Sequence, residues 1–168
     1  KTSSKGNVVD CDALAGWQSL DHGRLFLRKF ESYKLKLRAS KKINVAAKRF
    51  SATVQKLSKL FTKAVAKLVE LENHSSGIVR YLALSEIGRL YATMGIRVEH
   101  LTNIASSALA WEDQGIFREM VQAQMIELRN QKAIYTRAAS YLLEQLGPRE
   151  NWLRFVTIPP FNRSASDG

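Results

Sequence analysis

The chain has 168 residues, 45% of them apolar, with 26 Lys or Arg against 15 Asp or Glu and a net charge of +11. That apolar content excludes a disordered polyelectrolyte, and the length fits one domain with a core of its own. A lone cysteine, Cys11, excludes an intramolecular disulfide, and nothing approaches the roughly 18 consecutive apolar residues of a membrane span or the core of a signal peptide. These features favour a reducing, cytoplasmic location in which any membrane contact is peripheral. The chain starts at Lys1 rather than Met, which implies a longer or a processed protein.

Residues 1–23 mix Ser, Gly, Asp and Asn with isolated apolar residues, Leu14, Trp17 and Leu20, and read as a lead segment entering a short helix. From 24 to 146 the spacing predicts long helices. Apolar residues fall at Phe26, Phe30, Tyr33 and Leu37, then at Ile43, Ala47, Phe50, Val54, Leu57, Phe61, Ala64, Leu68 and Leu71, in steps of four and three. The step of six from Leu37 to Ile43 predicts a bend or register shift over 38–42. Taken as one helix from 24 to 71, this stretch would measure on the order of 70 Å.

Asn73, His74, Ser75, Ser76 and Gly77 break the pattern and supply caps for a new helix, so a turn is expected there. A second seam follows at Leu84, Ile87, Tyr91, Met94, Val98, Leu101, Ala105 and Ala108. Tyr81, Gly88, Gly95 and Thr102 recur every seven residues, a groove that could admit a close neighbour helix. Phase is lost over 111–115, a kink or a second turn, and resumes at Phe117, Val121, Gln124, Leu128, Gln131, Tyr135, Ala138 and Leu142. Gly147 and Pro148 close the last helix. Residues 147–168, with Trp152, Phe155 and Phe161 around Pro159 and Pro160, read as an extended strap and a Ser-rich tail. Trp111 and Trp152 are expected as core or interface anchors. The fold class is therefore all-α: long antiparallel helices in an elongated, coiled-coil-like bundle, expected to be dimeric.

Charge is concentrated. Between 24 and 68 stand fourteen Lys or Arg residues and one acid, Glu31, so this stretch exceeds the whole chain's charge and the remainder is slightly acidic. Lys56, Lys59, Lys63 and Lys67 step by three, four and four, off the apolar seam and on one stripe. Like charges at these spacings repel by a few tenths of a kcal/mol per pair, roughly, which a facing anion would remove. Lysines can also serve only to keep a helix soluble, but such a face normally interleaves glutamate and this one does not. Candidate residues for an anionic surface are Arg28, Lys29, Lys34, Lys36, Arg38, Lys41, Lys42, Lys48, Arg49, Lys56, Lys59, Lys63 and Lys67. No helix-turn-helix, zinc module or basic zipper is written here, and the aromatic residues sit on the seam rather than among the cations, so an anionic membrane asks for less than a nucleic acid does.

Phe30-Glu31-Ser32-Tyr33-Lys34-Leu35-Lys36-Leu37-Arg38-Ala39, Ala46-Ala47-Lys48-Arg49-Phe50 and the run from Leu57 to Leu60 resemble the aromatic-led, Arg-Ala-ending and small-aromatic stretches of the BAR superfamily, which includes F-BAR proteins and sorting nexins. The resemblance covers 24–146. It implies an antiparallel homodimer, a curved helical core and membrane contact through Lys and Arg.

Catalytic and metal chemistry are not expected. His22, His74 and His100 lack partners at helical ligand spacing, the glycines form no phosphate-binding loop, and the neighbours Glu112 and Asp113 point about 100° apart on a helix. No cofactor or small-molecule substrate is implied. The expected role is a non-catalytic scaffold that binds anionic membrane and oligomerises. The alternatives are a basic subunit laid on RNA phosphates in a ribonucleoprotein, or a helical adaptor for an acidic protein.

Overall fold

The computed structural model describes residues 11–147, with the backbone alone for 11–13, and contains four helices: α1 (Cys11–Ser32), α2 (Ile43–Val69), α3 (Gly77–Ser106) and α4 (Trp111–Gln145). No strand occurs among the described residues, so the expected all-α class holds. The expected boundary at 23/24 falls inside α1, whose Leu20 is wholly buried. The C-terminal strap, with Trp152, lies outside the described residues apart from Gly147.

Spacing accounts for the helices. On α2 the three-and-four steps bury Phe50, Val54, Leu57, Ala64 and Leu68 together and leave the lysines outside. Consecutive helices run antiparallel: Gly23 of α1 lies against Leu68 near the end of α2, and Gly77 at the start of α3 lies against Leu146 just past the end of α4. One aromatic residue from each helix meets its neighbour at a single level. Phe30 and Phe61 have ring centroids 5.9 Å apart, Phe61 and Tyr91 5.0 Å, and Tyr91 and Tyr135 5.6 Å. These tilted, edge-on and stacked pairs tie α1, α2, α3 and α4 in series.

Helix α3 occupies the middle. Val79, Ala83, Ile87, Leu90, Met94, Val98 and Leu101 form one buried stripe, and Leu82, Gly88, Thr102 and Ser106 are buried on other sides of the axis, as befits a helix covered on more than one side. The α1–α2 pair covers one part of it and α4 another, with α4 meeting α2 where Phe50 packs edge-on against Phe117, 5.4 Å between centroids. No contact joins α1 to α4 among the described residues. The expected small-residue groove is used at Gly88, where a Cβ would stand 3.4 Å from Oγ1 of Thr136 on α4, whereas Gly95 faces open space.

The single basic helix expected from 24 to 71 is not formed. α1 stops at Ser32, and residues 33–42 are a non-helical strap between α1 and α2. Two physical reasons are visible. Burial alternates residue by residue: Tyr33, Leu35, Leu37 and Ala39 turn inward while Lys34, Lys36 and Arg38 are exposed, the period of an extended chain rather than a helix. Arg97 of α3 also caps the end of α1, its guanidinium donating to the carbonyls of Phe30, Glu31 and Tyr33 and lying 5.2 Å from the Phe30 ring centroid. The expected bend at 38–42 is thus the last half of a full interruption, and α2, at 27 residues, is about 40 Å long instead of 70 Å.

The other connections fall near their expected places. Residues 70–76 turn as the Asn-His-Ser-Ser-Gly run implies, although the Ser76 N–H is taken by Nδ1 of His74 at 3.0 Å and Ser76 makes no side-chain cap bond. Between α3 and α4 the chain turns over 107–110, ahead of the expected 111–115, and Gln114 donates to the Leu109 carbonyl at 3.1 Å. Trp111, expected as an anchor, opens α4 with 86% of its surface exposed and is not a core residue. Glu112 and Asp113 occupy the first turn of α4, where negative charge suits the helix dipole. Gly147 closes α4 with φ +76°, the left-handed conformation that a residue with Cβ resists.

Candidate anion-binding surface

Twelve of the thirteen expected cations are exposed: Arg28 and Lys29 at the end of α1, Lys34, Lys36, Arg38, Lys41 and Lys42 on the strap, and Lys48, Arg49, Lys56, Lys59 and Lys63 on α2. Lys67 is half-buried and pairs with Glu70 at 2.8 Å. It is the one member of the set with a carboxylate in ion-pair range among the described residues. Arg49, Lys56 and Lys63 recur every seven residues and therefore share one line on α2. Lys29 lies 5.4 Å from the Phe26 ring centroid and keeps its ammonium toward solvent.

Strap and helix are joined by Arg49, which donates Nη1 to the carbonyls of Arg38 (3.4 Å) and Ala39 (3.3 Å). Between them runs an open groove of about 620 Å³ lined by Lys36, Arg38, Arg49 and Thr53 over the apolar stems of Leu35 and Leu37. Its charged wall is a consequence of the alternation at 33–39: each residue turned inward for packing turns a cation outward. Sequence reasoning placed these cations on a helix; the period-two run Tyr33, Leu35, Leu37 was the signal for the strap.

Three further arginines serve the fold. Arg24, at the start of the basic stretch, bonds Glu86 at 3.2 Å and Asp21 at 3.6 Å; Arg89 bonds the same Glu86 at 3.0 Å and reaches Glu31 at 3.6 Å. This network clamps α1 to α3 and consumes the one acid of the basic stretch. Burial lowers the pKa of Arg97 from its ordinary value, and the nearby Glu31 acts in the opposite sense.

A second polar cluster, unforeseen in the sequence, lies at the aromatic level. Burial, then the charge of Glu72 and a hydrogen bond to it, then Tyr91, push the Tyr135 phenol up to about 12, and burial with Glu127 and Glu72 raises Tyr91. Oε1 of Glu72 is buried and has no hydrogen-bond partner among the described residues. Phenols held protonated are packing and hydrogen-bonding groups at neutral pH, not nucleophiles. No group of three potential metal ligands forms among the described residues.

Chemically, the strap and α2 offer point charges for phosphates on a rigid support. No protein-family model, curated protein or solved structure matches the chain.

Proposed function

We propose that the chain is a non-catalytic helical scaffold that lies on anionic membrane through the end of α1, the strap and the outer face of α2. One observation carries this reading: a continuous run of sequence, 33–66, supplies ten exposed Lys or Arg residues and no acid. Each such cation near an anionic leaflet contributes about 1 kcal/mol, and the mutual repulsion of the face is relieved when phosphates approach. No described helix is long and apolar enough to cross a bilayer, so contact would be peripheral.

Burial of the aromatics favours lipid over single-stranded RNA. Phe30 and Phe50 are buried and Phe26, Tyr33 and Phe61 pack against the core, which leaves no stacking platform among the cations. A dimeric, BAR-like scaffold in the cytoplasm is the wider form of the same proposal. The test is reversal of Lys56, Lys59 and Lys63 to Glu, at exposed positions that hold no ion-pair partner among the described residues. Binding to phosphatidylserine vesicles is expected to fall at least tenfold with far-UV helicity unchanged; unaltered binding refutes the assigned surface. Displacement by RNA or by polyglutamate would instead favour a ribonucleoprotein subunit or an acidic protein partner.

A further inference from the structure

The Ser and Thr hydroxyls of the basic stretch from 24 to 68 stand on different kinds of backbone. Ser32 is the last residue of α1, Ser51, Thr53, Ser58 and Thr62 are inside α2, and Ser40 alone lies on the strap. A protein kinase lays the residues around its acceptor hydroxyl along its cleft as an extended chain, which a helix supplies only by melting. The strap is already extended: burial alternates residue by residue from Tyr33 to Ala39, and Ser40 follows, partly exposed, among exposed Arg38, Lys41 and Lys42. Oγ of Ser40 accepts the Lys42 N–H at 3.2 Å, which uses an oxygen lone pair and not the hydroxyl proton that a phosphoryl group replaces.

Charge names the class of enzyme. Ser40 has Lys34, Lys36 and Arg38 on its N-terminal side and Lys41 and Lys42 on the other, with no acid between Glu31 and Glu70. An acidic substrate cleft complements that run, so the fitting enzyme is a basophilic Ser/Thr kinase. The surroundings also favour the product. Arg49 reaches the carbonyls of Arg38 and Ala39, at 3.4 and 3.3 Å, and so stands beside Ser40 with donors that a phosphate accepts in charge-assisted bonds.

We propose that Ser40 is a phosphorylation site whose phosphate lowers the hold of this surface on anions. The γ-phosphoryl group of ATP is transferred: the Oγ–P bond forms, the bond from the γ-phosphorus to its bridging oxygen breaks, the hydroxyl proton passes to the kinase's base, and ADP leaves. The added charge, about −1.5 to −2 at neutral pH, cancels roughly two of the cations of 33–66. The switch rests on the membrane reading; the assignment of the acceptor does not.

The folded full chain is incubated with ATP and, in separate samples, the catalytic domain of protein kinase C or cyclic-AMP-dependent kinase, and the phosphate is mapped by peptide mass spectrometry. One phosphate on Ser40 is expected, lost in Ser40→Ala, with Ser51, Thr53, Ser58 and Thr62 unmodified. Binding of the phosphorylated chain to phosphatidylserine vesicles should then fall roughly tenfold or more with helicity unchanged, and phosphatase treatment should restore it. Elution from heparin, a polyanion without a bilayer, should move to lower salt. If the unmodified chain ignores the vesicles the membrane reading fails, and the heparin shift still decides the effect of the phosphate. No phosphate on Ser40 from either enzyme, or equal labelling of the α2 hydroxyls, overturns the proposal. A phosphorylated chain that holds vesicles and heparin as tightly as the unmodified one overturns it as well.

Discussion

Arg97 reaches from α3 to the last carbonyls of α1, where a helix otherwise leaves acceptors unpaired. Its loss uncovers those carbonyls and removes a cation from the Phe30 ring. Arg97→Ala should therefore destabilise the fold by about 1–3 kcal/mol in denaturant unfolding, and Arg97→Lys should recover only part, because an ammonium cannot fork between carbonyls. A loss under ~0.5 kcal/mol, the size of an ordinary surface substitution, would contradict the capping role. Tyr135 supplies a test by pH. Its pKa, raised from the ordinary 10.0 to about 12, means the folded state holds the phenol proton more tightly than the unfolded chain. This contribution to stability is complete below pH 10 and disappears as pH rises from 10 toward 12. In an alkaline titration followed by phenolate absorbance, Tyr135→Phe should delete a component near pH 12; loss of a component near pH 10 instead would show that neither burial nor Glu72 raises this phenol. Neither role was legible in the sequence, since Arg97 lies 66 positions from Glu31 and Tyr135 far from Glu72, and spacing along one helix says nothing about which helix lies opposite.

At the level of elements, periodicity was informative wherever a helix packs along its whole length. Phe50 to Leu68, Ile87 to Ala105 and Phe117 to Leu142 keep three-and-four steps because each presents one seam to a neighbour, and the structure buries most of those positions. The strap escaped because Tyr33 and Leu37 satisfy both a helical step of four and two extended steps of two; Leu35, inward between them, decides for the extended chain. The cations of the surface were legible as residues, their support was not. Because Arg49 fastens the strap to α2, Arg49→Ala should raise amide hydrogen exchange over 33–42 while α2 from Phe50 to Leu68 stays protected. Unchanged exchange in the strap would show that Leu35 and Leu37 alone hold it down.

Across the whole molecule, charge and apolar surface are sorted by element. Exposed cations occupy the end of α1, the strap and α2, with no acid from 33 to 66; ion pairs clamp α1 to α3; six of the ten large apolar side chains left exposed among the described residues belong to α4. Under the proposed function the cationic surface meets the polyanion, and that binding is expected to weaken with salt because the cations are solvent-exposed and the Debye length is about 8 Å at physiological ionic strength. Co-sedimentation of the chain with phosphatidylserine vesicles and with neutral vesicles, at physiological salt and with excess RNA present, tests the central claim most directly. Pelleting with the anionic vesicles alone, undiminished by RNA, is the predicted result; a chain that stays in the supernatant, or that RNA strips from the vesicles, contradicts a membrane scaffold.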